Sequence, residues 1–342
     1  MFGNRGLIGK FCSFVVIFFL IVVAAVPMPG CQTGFFQPAE PFYRSSPSPE
    51  SRSAPSVPSQ IEAGERQEPV ISVYIAEKET VEEMNMEEYI AGVVAGEMDP
   101  KWPLAALAAQ AIIARTFTLQ KIDEAGGVPH RDAHASTDVE EFQAYNVEDI
   151  TDKVREAVRI TKGIVACHNN RYIRAWFSAY AGPKTAQADE GLAFNSNPSY
   201  IKVVDNPGQD IVPPEEGEWS ADFPLEQVKD IVTRATGKDP GPIKEVKIAE
   251  YGPSGRAAYF TVNNRKISGT ALRLGLGSTE MRSTFVKDIS IDGDMLHMSG
   301  VGYGHGVGMC QWGARALAEK GNSPEEIINY FFEDIDVMSL WE

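Results

Sequence analysis

The chain has 342 residues, 43% of them hydrophobic, which is enough to bury a substantial core in one large domain or two ordinary ones. Its formal charge of −16, from 31 Lys and Arg against 47 Asp and Glu, excludes a broad electrostatic footprint for nucleic acid. The same acidity gives no steering toward an anionic polymer, so local groups would have to hold one.

In chain order, Arg5 and Lys10 precede an almost unbroken apolar run from Phe11 to Met28, the pattern of an export signal. The run ends Met28-Pro29-Gly30-Cys31, which has the small residue before Cys expected at a lipoprotein processing site, so Cys31 is a candidate for lipidation. An uncleaved signal anchor fits equally, because about 18 apolar residues come close to spanning a bilayer. Either way residues 1–31 read as a signal or anchor, and the rest is expected on the outer face of the cytoplasmic membrane. Residues 32–69, rich in Ser, Pro and Glu and lacking apolar periodicity, read as a disordered tether.

Residues 70–342 read as one large α+β domain. Val70-Ile-Ser-Val-Tyr-Ile75 predicts a strand, and Asn85-Met-Glu-Glu88 predicts a capped helix start running to about Met98. Asp99-Pro100-Lys101-Trp102-Pro103 interrupts. Leu104 to Leu119 then predicts an Ala-rich helix apolar nearly all round, in which Gln110 and Arg115 each need a buried partner or a ligand. Arg171 to Ala179, Ile243 to Glu250 and Ala257 to Val262 read as strands, and Pro224 to Thr236 as a helix. Two helices close the chain, Met309 to Glu319 and Pro324 to Phe332, the second opened by Ser323 with Glu326 three residues after it. Cys167 and Cys310 are too few for a disulfide framework; they could pair with each other in an oxidising compartment, and two buried free thiols are the plainer reading.

Two places point to chemistry. Between Gly300 and Gly308 every second residue is glycine, which in an extended chain would put five glycines on one face, open to another element of the fold or to a flat ligand. His305 would then stand on the opposite face. Glu97 lies in the apolar sequence Ile90-Ala-Gly-Val-Val-Ala-Gly-Glu97-Met, where a raised pKa would suit a general acid at neutral pH. A partly exposed helix-end glutamate fits the same pattern.

Glu88-Tyr-Ile-Ala-Gly-Val-Val-Ala-Gly-Glu97-Met, followed by Trp102-Pro-Leu-Ala-Ala-Leu-Ala-Ala-Gln110-Ala-Ile-Ile-Ala-Arg115-Thr-Phe, closely resembles the opening signature of the SpoIID/LytB family. Phe142-Gln143-Ala144-Tyr145 resembles a middle signature, and Gly304-His305-Gly306-Val307-Gly308-Met309-Cys310-Gln311-Trp312-Gly313-Ala314 is similar to the C-terminal one. The three occur in family order and cover roughly residues 70 to 335.

The resemblance implies a peptidoglycan lytic transglycosylase with Glu97 as its catalytic residue, no cofactor, and peptidoglycan glycan strands as substrate. It makes Gln110, Arg115, Gln143, Tyr145, His305 and Gln311 candidates for holding sugar hydroxyls or orienting Glu97. Other wall hydrolases or sporulation membrane proteins are the implied partners. LytB-type relatives are also viewed as amidase enhancers, which leaves open a binding module without chemistry of its own. Two stretches depart from the family. Asp138-Val-Glu-Glu-Phe142 stands where some members carry Cys or His ligands, so no zinc is expected there, and His130 and His134 lack an evident third ligand. Phe177-Ser178-Ala179-Tyr180-Ala181-Gly182-Pro183-Lys184-Thr185 replaces a His-Ser-Thr-Ser-Gly-Gly-like loop and leaves Ser178 and Lys184 as candidate polar contacts.

Overall fold

The computed structural model describes residues 56–61 and 67–342. The apolar N-terminal run, Cys31 and most of the expected tether lie outside the described residues. Part of that tether is held against the body, since Ile61 is buried and Tyr172 Oη donates to the Ser56 carbonyl at 2.8 Å. No helix among the described residues is long and apolar enough to cross a membrane.

The architecture is α+β. Strand β1 (Val70–Ile75) pairs antiparallel with β2 (Thr80–Asn85) in a hairpin. Helix α1 (Met86–Glu97) begins at Asn85, whose side chain makes no cap bond. Glu68 supplies an acceptor instead, taking the Glu87 N–H at 3.0 Å. The helix stops at Met98 because Asp99 precedes Pro100, a position that disfavours helical backbone. Helix α2 (Leu104–Ala125) is buried on nearly every side and runs six residues past Leu119, to a left-handed Gly126. Its last turns are more polar than the rest, which hid them from the apolar pattern.

Next come β3 (Ala135–Ser136), parallel to β1; α3 (Asp152–Ile160), capped by Thr151; and β4 (Ile164–His168) with β5 (Arg171–Tyr172). The predicted strand 171–179 is broken, because the Arg174 N–H bonds the Tyr200 hydroxyl and pairing resumes only at β6 (Phe177–Ser178). Short helices α4 (Ala188–Leu192) and α5 (Pro214–Gly217) follow.

Residues 218–301 form an insert with a hydrophobic core of its own, so the folded part holds two cores. The insert comprises β7 (Glu218–Pro224), α6 (Leu225–Thr236), β8 (Val246–Tyr251), β9 (Ala257–Val262), β10 (Arg265–Ser268), α7 (Gly269–Leu276), β11 (Val286–Asp292) and β12 (Met295–Val301). Two three-stranded antiparallel sheets, β10-β9-β8 and β11-β12-β7, bury Phe223, Phe260 and Leu296 together with Val228 and Ile231 of α6 and Leu272 of α7.

The glycine run is not one strand. Only Gly300 lies within β12, whereas Gly302, Gly304, Gly306 and Gly308 have φ of 102°, 112°, 76° and 74°. Positive φ is costly for any residue with a Cβ, so the alternation turns the chain at each glycine and puts no common face forward. What approaches this backbone is the protein itself. A Cβ on Gly306 would sit 2.1 Å from the Arg256 guanidinium, and one on Gly308 2.1 Å from the Trp176 carbonyl oxygen.

The segment delivers the chain to β13 (Met309–Cys310), parallel to β6, then to α8 (Gln311–Glu319), α9 (Pro324–Phe331) and β14 (Asp336–Ser339), which pairs with β4. Ser323 and Glu326 form the expected capping box. Cys167 and Cys310 are free and buried.

One buried ion pair secures α1 to α2. Arg115 has no exposed surface, and its guanidinium donates to both carboxylate oxygens of Glu87 and to the Ile164 carbonyl at 2.9 Å. Glu87 Oε1 also accepts from the Gly163 N–H at 2.9 Å and the Trp341 indole at 3.0 Å. Removing one partner of such a pair strands a buried charge, so Glu87→Ala is expected to lower the unfolding free energy by about 3–5 kcal/mol in urea titrations. A loss below about 1 kcal/mol would show the pair to be dispensable.

Candidate active site

Glu97 occupies the last turn of α1 and is 6% exposed. Its carboxyl has two donors: the Ala144 N–H reaches Oε1 at 2.8 Å and the Gln311 amide reaches Oε2 at 3.4 Å. Burial nevertheless dominates and pushes its pKa up to about 8, with the Ala144 and Gln311 bonds opposing the rise. The C-terminal end of a helix carries partial negative charge, which further disfavours the carboxylate. At neutral pH the group is therefore mostly a neutral acid in an apolar setting.

Two glycines bring the Ala144 donor in. Gly92 and Gly96 are four apart and share one face of α1. A Cβ on Gly96 would meet the Tyr145 backbone nitrogen at 2.7 Å, and one on Gly92 would enter the Tyr145 ring. The segment 142–146 can thus lie flat on the helix, anchored by the Asn146 N–H to the Gly92 carbonyl at 2.9 Å. The Tyr145 ring stacks on Tyr89 at 5.7 Å, and Phe142 packs edge-on against Tyr89 and Phe117. Gln143 is buried and its amide donates to Thr118 Oγ1 at 3.0 Å.

Gln311 arrives from the far end of the chain as the first residue of α8. Cys310 caps that helix, its sulfur accepting the Gly313 N–H at 3.4 Å and the Ala181 N–H at 3.3 Å. The parallel pairing of β13 with β6 sets Cys310 opposite Ser178. Beside Gln311, the Trp312 ring lies 4.9 Å from the Trp102 ring and its indole donates to Glu216 at 3.2 Å. Arg315, one turn further along α8, lies over both rings at 4.9 and 5.3 Å.

Among the sequence-predicted residues, Glu97, Gln311 and the Gln143–Tyr145 segment come together. Arg115 does not join them, because Glu87 lies ten residues before Glu97 on one helix, about 15 Å along its axis. Gln110 is fully enclosed, and neither of its amide atoms has a hydrogen-bond partner among the described residues. Ser178 is enclosed too, its hydroxyl likewise unpartnered among them. The Lys184 ammonium is half exposed, 3.5 Å from Asp205.

His305 belongs to the junction with the insert. It is buried and held down to about 3 by burial and then by the Arg273 and Arg256 guanidiniums, and its Nδ1 accepts the Val307 N–H at 3.0 Å. It stays neutral at any ordinary pH. Arg256 reaches from the insert to the Ala181 carbonyl and to the Lys184 carbonyl at 2.8 Å. His130 bonds Glu141 and His134 bonds Ser72, and no group of three metal-ligating side chains occurs among the described residues.

Sequence reasoning missed the Ala144 N–H, since a backbone donor carries no residue-type signal. It also missed Arg256 and the Trp102–Trp312–Arg315 stack. The four-residue spacing of Gly92 and Gly96 on a predicted helix was the available sign that another segment approaches α1 there.

Residues 74–168 match the family model described as Stage II sporulation protein. Stage II sporulation protein D of Bacillus subtilis is 27% identical over 287 residues, covering 78% of each chain. An uncharacterized protein of Brachyspira hyodysenteriae is 29% identical over 260 residues, 75% of this chain and 68% of that one. The amidase enhancer of Bacillus subtilis is 26% identical over 290 residues, which span 71% of this chain but 39% of the enhancer. The family-model match encloses Glu97 and the Gln143–Tyr145 segment, and along most of its length the chain is similar to stage II sporulation protein D.

Proposed function

We propose that this protein is a lytic transglycosylase that cleaves the MurNAc–GlcNAc bonds of peptidoglycan glycan strands, with Glu97 acting first as acid and then as base. A role in sporulation or at the cell wall follows from these similarities. The observation that carries the finer reading is the buried Glu97 carboxyl, held by two neutral donors at a helix end, where burial raises its pKa.

In this mechanism Glu97 passes its proton to the glycosidic oxygen as the C1–O bond breaks and the sugar takes on oxocarbenium character. The Ala144 N–H and the Gln311 amide stabilise the carboxylate so formed. That carboxylate then accepts the proton of the sugar's own primary hydroxyl as its oxygen bonds C1, closing an anhydro ring and regenerating the acid. One carboxyl serves both steps, and no water enters the balance. Tyr145 and Lys184 are retained as candidate substrate contacts, and the enclosed Gln110, Gln143, Ser178 and His305 as candidates for supporting the site from within the fold. Arg115 is assigned to the helix-pairing role described above. With this reading goes export, through residues 1–31 as signal or anchor and Cys31 as the lipidation candidate, to the outer face of the cytoplasmic membrane.

The alternative is a non-catalytic peptidoglycan-binding enhancer of a cell-wall amidase, which the similarity to the amidase enhancer favours. Mass analysis of soluble products from intact and peptide-stripped peptidoglycan separates the two. Anhydro-ended fragments are expected from the wild type, with release by Glu97→Gln reduced by about 10²–10⁴-fold. If neither protein releases fragments while both bind the wall, the enhancer reading takes its place.

The raised pKa also gives two pH signatures. Cleavage requires the protonated acid, so the rate should hold up to about pH 8 and fall as pH rises through it. Folding keeps a proton that the unfolded chain loses near its ordinary carboxyl pKa, so this group's contribution to stability declines from about pH 4.5 to about pH 8. Glu97→Gln should therefore gain in Tm relative to wild type when measured at pH 8 rather than pH 5. An unchanged difference between the two pH values would mean that Glu97 is not held protonated.

A further inference from the structure

We infer that the outer edge of Arg315 is a subsite for a carboxylate carried by the glycan substrate, one helical turn from the Gln311–Glu97 contact. The inference rests on the glycan-cleaving reading and extends it to what the strand bears beside the scissile bond. Gln311 and Arg315 are four residues apart on α8 and so share a helix face. Gln311 touches Glu97 at 3.4 Å, and Trp102, five residues beyond Glu97, packs on Trp312. The Arg315 guanidinium is thus laid over the two rings at the border of the candidate active site.

The state of this arginine distinguishes it from the buried guanidiniums elsewhere in the fold. Arg115, Arg256 and Arg273 are buried and donate to backbone or carboxylate groups inside the fold. The Arg315 side chain keeps 31% of its surface exposed; its Nε pairs with Glu319 at 2.8 Å on the same exposed helix face, and Glu216, which accepts from the Trp312 indole, lies within electrostatic reach. Such i,i+4 pairs contribute only about 0.3–0.5 kcal/mol and exchange readily. Nη1 and Nη2 have no hydrogen bond among the described residues, while the tryptophans fix the plane of the group. A flat guanidinium with its terminal edge open is preorganised for two parallel bonds to a carboxylate. In a chain of net charge −16, such a local cation is what an anionic strand would need.

Peptidoglycan offers that carboxylate from two sources. A strand without stem peptides exposes the lactyl carboxylate of each muramic acid, whereas an intact strand has this group in amide linkage and carries carboxylates on its peptides. The test measures binding by full-length protein bearing Glu97→Gln, with and without Arg315→Gln, so that it does not depend on cleavage. The ligands are stripped glycan, intact peptidoglycan and a neutral chitooligosaccharide.

About tenfold weaker binding of stripped glycan, with chitooligosaccharide binding unchanged, is expected and identifies the lactyl group. The same loss confined to intact peptidoglycan supports the subsite and assigns it to the stem peptide. Equal weakening toward the neutral oligomer, or none toward any ligand, overturns the proposal. Arg315→Lys retains the charge without the planar edge and should recover only part of the affinity, while full recovery would reduce the site to a point charge and overturn the two-bond geometry. Equal Tm values for the compared proteins exclude a folding loss as the cause, and without the cleavage step the outcome stands apart from that of the Glu97 experiment.

Discussion

The largely enclosed Glu87 side chain, paired with the buried Arg115, is the contact on which the rest of the main body depends. It joins four parts of the chain: α1 that carries it, α2 through Arg115, the turn before β4 through Gly163, and the C-terminal residues through Trp341. A guanidinium enclosed between helices has to meet a counter-charge, because water is not there to solvate it. The requirement pins one end of α1, and the direction of that helix then decides where its other end emerges.

At the other end Glu97 is more enclosed than Glu87, yet its neighbours are a backbone amide and a side-chain amide. Two neutral donors do not offset loss of hydration as a guanidinium does, so Glu97 keeps its proton. One helix thereby carries two glutamates with different partners, a guanidinium at Glu87 and neutral donors at Glu97. The partners of Glu97 come from 47 and 214 residues away, and each approach uses close backbone packing. Gly92 and Gly96 admit the Ala144 segment, and the positive-φ glycines 302–308 turn the chain from the insert toward α8.

The insert joins the same assembly. Arg256 donates to the Ala181 and Lys184 carbonyls, and Ser254 bonds the buried Glu190 at 2.6 Å, so the two cores meet through polar contacts around the glycine segment. That packing accounts for Gly306, where any side chain would collide with Arg256, and for a neutral His305 beside two guanidiniums. The glycine run thus serves the junction between cores, and the partly exposed Arg315 lies over the Trp102 and Trp312 rings on the α8 side of Glu97.

Local sequence by itself determined β1, α1, most of α2, the capping box at Ser323, the mixed α+β class, and Glu97 as an ionisable group in apolar surroundings. These follow from periodicity, capping and composition, which act over a few residues. Tertiary structure decided which groups surround Glu97, that Arg115 serves helix pairing, that residues 218–301 carry a separate core, and that the glycine run turns. Each of those outcomes depends on residues far apart in the chain, and on whether a buried charge meets another charge or only a neutral donor, which spacing along a sequence does not encode.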